Sequence, residues 1–426
     1  MGNLQAKRCG EVKKMGNLFK IAIRNLLRYK RRTLLTASLI TIGVVFVLVF
    51  ISVSGSFKAM MISQITDSML GHIQVHHKGY VASIDNLPLN LNLKPEAVKK
   101  LDNILAENPD IEAFSPRIKF GGMFSNFVET TNIRLNGVYP DKEFKTIPLL
   151  ASRISAGKKT LEKGEILIPV LLSKGMNVKV GDTIVIVATN QDGSVNGKSL
   201  TVSGVLESAT GPGGRDGYVH IDDAREILRM TDMQISETAI RLRDFSKLHS
   251  VSLKMENVLG KDLTPQGKPI FEVHTWEKLS PFYNLSRMID LMTFFIKLML
   301  IAIVLISIMN VMIMAVYERI REIGTIAAIG TPPLKILNMF VIEGFCLGIL
   351  GTVIGNILGA IIIYILNASK ITFDFAMHQG LILVANINPS DLLTISVIVI
   401  MVSVIASLQP AFKASRMEPI TALRHV

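Results

Sequence analysis

The sequence predicts a membrane protein of four transmembrane α-helices, with a large α+β extracytoplasmic domain inserted between helices 1 and 2. Three observations lead there. Four segments are apolar and long enough to cross a hydrocarbon core of about 30 Å, which takes about 20 helical residues. More than two hundred residues of mixed, alternating sequence separate the first two of these segments. The excess of Lys and Arg is confined to short stretches beside the spans.

At 49% hydrophobic the 426-residue chain is more apolar than an ordinary soluble protein, yet 19% charged is too much for a chain lying wholly in a bilayer. The net charge of +12 suggests nucleic acid until it is located. Residues 57–290 hold about 28 basic and about 27 acidic residues, so the inserted domain is near neutral. The excess lies in the run Lys7, Arg8, Lys13, Lys14, Lys20, Arg24, Arg28, Lys30, Arg31 and Arg32, then at Arg319, Arg321 and Lys335, and at Lys413, Arg416 and Arg424. Short cytoplasmic loops collect such residues. Both termini and the loop between spans two and three are therefore expected inside, and the large domain outside. No nucleic-acid partner is expected; the basic residues face a lipid membrane.

In chain order, residues 1–33 form a cytoplasmic basic segment. Within it 16–32 read as an amphipathic interfacial helix, with Leu18, Phe19, Ile21, Ala22, Ile23, Leu26 and Leu27 apolar. Span one covers 34–56, an uncleaved anchor, since no small-residue cleavage site follows it. Phe57 to Leu70 keeps a helical rhythm as a stalk. The domain at 57–290 contains an amphipathic helix at 96–107 after Pro95. Strands are expected at 72–75, 133–138, 165–168, 183–189, 200–206, 218–221 and 239–242. A β-rich inserted lobe is expected at about 161–237. Asp222 and Asp223 are placed to cap a short helix through Met230. A stalk at 277–297 returns into span two (291–316), followed by a cytoplasmic segment (317–338), span three (339–366), a short external loop (367–391), span four (392–412) and a cytoplasmic tail (413–426).

No catalytic, cofactor-binding or metal site is expected. Gly193 to Ser199 ends like a phosphate loop, but has three residues between its glycine and Gly-Lys-Ser where four are needed, and it lies between strands, so it reads as a hairpin tip. Gly211 to Gly217 reads as a mobile loop. His72, His76, His77, His220, His249 and His274 are scattered, with no ligand spacing. Cys9 and Cys346 leave the large domain without a disulfide.

Three groups of residues carry functional expectations. In 317–338, Glu318 and Glu322 lie one turn apart, Ile323, Ile326, Ala327 and Ile329 supply apolar surface, and Gly324, Gly330 and the Pro332–Pro333 pair shape and end the helix. A helix of this form docks into a partner's groove or merely turns the chain; composition alone favours neither. Span three carries Gly344/Gly348 and Gly351/Gly355/Gly359, small-residue patterns that favour tight helix packing in lipid. Glu343 and Asn356 are polar within the same span.

Four spans, the domain between the first two, Arg24-Asn25-Leu26-Leu27-Arg28 before span one, the Glu318–Gly330 segment and the closing stretch Pro410 to Arg424 together resemble the MacB/LolC/FtsX group of ABC transporter permeases over essentially the whole chain. Gly71-His72-Ile73-Gln74-Val75-His76 is most similar to the lipoprotein-releasing LolC/LolE branch. The resemblance makes Met15 a second candidate start beside Met1. It implies a non-catalytic permease subunit of the bacterial cytoplasmic (inner) membrane, working with a second permease copy or paralogue and a dimer of ABC ATPase subunits that hold the ATP and Mg. It places ATPase coupling at Glu318, Arg319, Glu322, Ile323, Gly324, Ile326 and Gly330. In the releasing branch a lipoprotein enters a cavity between the first two spans, which by position Phe50, Val53, Phe57, Met60, Met61, Met292, Phe295 and Met299 would line; core packing accounts for the same residues. A periplasmic lipoprotein carrier or adaptor is a further implied partner. Peptide or drug export, as in MacB, and regulation of a cell-wall hydrolase, as in FtsX, are the alternative functions.

Overall fold

The structure is a computed structural model that describes residues 20, 22, 24–28, 30–207, 216–370, 372–375, 378–382 and 384–418. The chain divides into two compact units, one holding the long apolar helices and the other running from Ala59 to Ser286 with Asp374–Leu381.

The second unit is built on a ten-stranded sheet. Its strands are β1 (Ile73–His77), β2 (Ile111–Ser125), β3 (Thr130–Val138), β4 (Ile154–Gly157), β5 (Glu165–Pro169), β6 (Thr183–Thr189), β7 (Val195–Leu206), β8 (Asp216–His220), β9 (Glu237–Leu242) and β10 (Phe271–Thr275). The order is β10-β1-β9-β2-β3-β8-β5-β7-β4, with β6 pairing β2 and β7. β2 is the hub, antiparallel to β9 along its first half and to β3 along its second. β3 with β8, and β5 with β7, are parallel pairs. Residues expected to form an inserted lobe supply β5 to β8 of this one sheet.

Alternation along β2 and β3 sends Ile118, Phe120, Ile133 and Leu135 into the apolar core. Helices Pro95–Glu107 and Leu248–Leu259 add Val98, Leu101 and Leu105, and Leu248, Val251, Met255 and Leu259, at helical spacing. Gly71, at φ 74°, turns the chain from the first long helix into β1, and a Cβ there would lie 3.1 Å from the Ile240 carbonyl oxygen.

Several expectations need correction. Strand β1 begins at Ile73 rather than His72, and Ile221 opens a helix rather than ending β8. That helix, Ile221–Ile227, stops short of Met230, and its cap is His220, whose ring accepts from the Asp222 N–H at 3.3 Å. Asp223 instead points inward, accepting from the Gly164 N–H at 2.7 Å and pairing with Lys198 at 2.7 Å. The hairpin reading holds for Gly193, which lies in the turn between β6 and β7, whereas Asn196 to Ser199 belong to β7. Loop residues 208–215 lie outside the described residues, as do Cys9, Met15, Leu18, Phe19, Ile21, Ile23 and the closing stretch from Pro419.

Among the described residues, the first unit is built on four long helices, Lys30–Ile65, Phe282–Glu318, Pro333–Ala368 and Pro389–Ser415, with the short helix Ile320–Ala328 after the second. Each long helix is apolar and long enough to cross a membrane. Pro333 and Pro389 occupy first-turn positions, where the missing N–H costs nothing. Ile40, Val44, Leu48, Val304, Ile308, Phe340, Leu347 and Val399 are buried between helices, while Leu39, Phe46, Ile306, Ile357 and Val397 face outward. Ahead of span one, Ala22 and Leu26 are buried and Leu27 is exposed, as an amphipathic helix requires. Between spans three and four, β11 (Thr372–Phe375) and β12 (His378–Ile382) pair in a ribbon that the sequence reading took for plain loop.

Candidate functional site

The segment after span two breaks at one residue. The helix ends at Glu318, Arg319 takes φ −106° and ψ 18°, and Ile320–Ala328 resumes as a separate helix. Gly330 at φ 93° closes it, and Pro333 starts span three. The residues expected to couple to an ATPase divide between two faces. Ile323 and Gly324 turn inward, and so does Arg319, 3% exposed, its Nη1 3.3 Å from Oε2 of the equally buried Glu343. Glu318, Glu322, Ile326 and Gly330 point outward, beside Ile329, the most exposed of the apolar residues here. Arg28 reaches Glu322 at 3.5 Å from ahead of span one. The outward face is thus a short amphipathic strip held by a buried ion pair behind it.

The span-three glycines also divide into two sets. An added Cβ at Gly344 or Gly348 would fall 2.6 Å from Ser407 Cβ or 2.5 Å from Ser403 Oγ, on span four. At Gly351, Gly355 and Gly359 it would fall 2.5, 2.7 and 2.6 Å from Ile40, Val44 and Leu48 of span one. Each set is therefore a groove for a different neighbour, and no side chain larger than hydrogen fits without movement. Thr41 Oγ1 donates to the Gly351 carbonyl at 3.3 Å, and Asn356 Nδ2 donates to Ser396 Oγ at 2.9 Å, which accounts for the polar residue inside span three.

The residues expected to line a substrate cavity are placed variously. Met292, Phe295 and Met299 are exposed, on one face of their helix at spacings of three and four. Phe50, Val53, Phe57 and Met60 are half-buried, and Met61 is fully buried.

The sheet contains a polar cluster that sequence reasoning missed. Arg117 on β2 is 2% exposed. It donates through Nη1 to Glu237 at 2.8 Å and through Nε to Glu143 at 3.2 Å, with Nη2 2.9 Å from the second Glu143 oxygen. Lys119 lies 2.9 Å and His76 3.4 Å from the other Glu237 oxygen. Burial pushes the Glu237 carboxyl up, but Lys119, His76 and Arg117 together outweigh it and hold the group well below the usual carboxylate range. His76 also stacks on Tyr80 and lies 5.9 Å from the His274 ring. Two of the histidines that look scattered in sequence, His76 and His274, thus meet across the β1·β10 pair; among the described residues no group of three ligating side chains is placed to hold a metal.

Two family models match this chain. Residues 33–258 match the MacB-like periplasmic core domain, and residues 294–419 match the FtsX-like permease C-terminal region. Matches of that extent define a class: ABC transporter permeases in which a core domain lies between the first two membrane helices. The chain belongs to this MacB/LolC/FtsX-type permease family. It is 23% identical over 419 residues to the lipoprotein-releasing system transmembrane protein LolC of Neisseria meningitidis, covering 92% of this chain and 94% of that one. It is 26% identical over 415 residues to the macrolide export ATP-binding/permease protein MacB of Nitrobacter winogradskyi, covering 92% of this chain but 58% of the relative. A third relative, the ABC transporter permease YtrF of Bacillus subtilis, is 36% identical over 179 residues, 40% of each chain.

Proposed function

We propose that this permease releases lipoproteins, or other lipidated or amphipathic substrates, from the outer leaflet of the bacterial inner membrane, driven by ATP hydrolysis in a separate subunit. The observation that carries this reading is the end-to-end alignment with LolC, which leaves almost none of either chain unmatched. In the scheme the ATPase dimer, with its ATP and Mg, grips the outward strip of Glu318, Glu322, Ile326 and Gly330. Arg319, Ile323 and Gly324 seat that strip from behind, and the motion passes along spans one and two to the inserted domain. A second permease copy or paralogue completes the assembly, and Phe50, Val53, Phe57, Met60, Met292, Phe295 and Met299 face the cargo's acyl chains, while the buried Met61 serves packing within the protein. A periplasmic carrier or adaptor takes the released substrate.

MacB-type export is the second reading, favoured by the 26% identity to MacB over nearly all of this chain. Purification with the partner ATPase, followed by mass spectrometry of co-purifying lipoproteins, separates the two. Lipoproteins enriched over a mock purification are the expected result; none enriched, with lipoprotein sorting intact on depletion, removes the first reading. For the coupling strip, Glu322→Lys should lower recovery of the ATPase while membrane insertion stays normal.

A further inference from the structure

The inserted domain holds a cavity of about 240 Å³ that no function above uses. Its floor is the polar face of β2, β3 and β8. The register pairs Lys119 with Asn136, Asn136 with Tyr218 and Arg134 with Asp216, so these five side chains share one face. Its roof is largely apolar: Met69 and Leu70 after the first long helix, Leu87 from a turn, Leu279 before the second long helix and Phe282 at its start.

Two floor residues are already engaged. Lys119 pairs with Glu237, and Asn136 Nδ2 donates to the Gly217 carbonyl at 3.4 Å. The side chains of Arg134, Asp216 and Tyr218 make no hydrogen bond or ion pair with any described residue, although Asp216 Oδ1 and most of Tyr218 are buried. A buried polar group without a partner costs roughly 1–3 kcal/mol. Asp216 Oδ1 is such a group, and with Arg134 and the Tyr218 hydroxyl beside it under a largely apolar roof it gives the composition of a small-molecule site.

We propose that this cavity binds a single-chain anionic amphiphile, its carboxylate or phosphate held by Arg134 and Tyr218 and its chain lying under the roof. A second, open cavity of about 620 Å³ shares Asp85, Leu87 and Arg134 with the first and gives the ligand its way in. Gly121 and Gly122 keep the floor of that approach low.

Asp216 makes the binding pH-dependent. Burial pushes its carboxyl up to about 6; Lys119, Arg134 and Arg153 oppose the rise, and Glu237 adds to it. Asp85 lines the same cavity from the turn, and Tyr218 and Arg117 from the sheet. Below that pH Asp216 is a neutral acid that donates to the bound anion. Above it, Asp216 is a carboxylate that repels the anion, so binding takes up a proton and weakens as pH rises.

The test uses the full chain in lipid nanodiscs with water-soluble photoactivatable octanoate and octyl phosphate, mapping the labelled peptides. Labelling at pH 5.5 is expected on the roof segments 69–70, 87 and 279–282, fading toward pH 7.5. Arg134→Gln should weaken binding about ten- to a hundredfold. Arg134→Lys should keep most of it, which distinguishes a lost charge from a lost fold. Asp216→Asn should bind with no pH dependence. Stronger labelling by octyl phosphate points to a lipid headgroup, and stronger labelling by octanoate to a free fatty acid. The proposal is overturned if neutral octanamide competes as well as the acids, if label appears only in the long apolar helices, or if Arg134→Gln binds normally. None of these outcomes depends on what cargo the permease carries.

Discussion

Arg117 is a charge with almost no contact with solvent, and two buried carboxylates depend on it. Taking one member from such a cluster leaves the others charged in a medium that solvates them poorly, at a cost of about 3–5 kcal/mol. Arg117→Ala should therefore destabilise the protein by about that amount in chemical denaturation, far more than Arg225→Ala in the half-exposed pair with Asp222 at 3.9 Å. Asp216 acts in the opposite sense. Its folded value of about 6 lies above the usual 3.8, so the folded state holds its proton more tightly than the unfolded chain does. Stability from this group is full below about pH 4 and is lost as pH rises through about 6, a loss of roughly 3 kcal/mol by pH 7. Asp216→Asn should then melt at a higher temperature than the natural chain at pH 7 and at the same temperature near pH 3.5.

The elements show which sequence signals survive folding unaided. Glycines four apart in span three are a local signal, and the structure sets them against Ile40, Val44 and Leu48 on one side and Ser403 and Ser407 on the other. The four apolar helices and helix Pro95–Glu107 are likewise local and were legible, though not their ends, and strand β6 was legible at both ends. Strand β2 was not: Pro116 and the Gly121–Gly122 pair interrupt its pattern, and it persists because β9, β3 and β6 all bond to it. The polar cavity floor was hidden for the same reason, since Arg134 and Asp216 become neighbours only through a parallel pairing across many intervening residues. Arg319 shows the limit for the coupling segment. The family resemblance grouped it with Glu318 and Glu322, but the break at Arg319 itself turns the side chain inward to Glu343. Glu343→Gln should consequently lower ATPase recovery about as much as a change on the outward strip, although it leaves that strip's residues untouched. In span three, Gly355→Ala should loosen packing against span one, and Val44→Ala in the same chain should restore it. The measurement is the melting temperature of each variant in detergent, with non-additivity of the two changes as the signature.

At the scale of the whole molecule, the proposed passage of force from a motor to the inserted domain requires the two to lie on opposite sides of the membrane. By the distribution of the basic clusters, Leu334, at the start of span three and 67% exposed, is expected on the side of the nucleotide pool. The same rule places Val128, at the tip of the β2–β3 hairpin and 87% exposed, across the membrane from it. Both positions accept a small side chain without disturbing a core, so single cysteines there, in a background with Cys9 and Cys346 replaced by serine, report topology directly. A membrane-impermeant maleimide added to cells whose outer barrier alone is opened should label Val128→Cys and leave Leu334→Cys unlabelled until the inner membrane is breached. Equal labelling of both before breach would put the inserted domain and the short helix on one side, and a motor gripping that helix would then have no membrane to transmit across. The expected asymmetry follows from charge alone: moving the near-neutral inserted domain across the bilayer leaves the flanking Lys and Arg where they are held, whereas the reverse topology would require those basic clusters to cross.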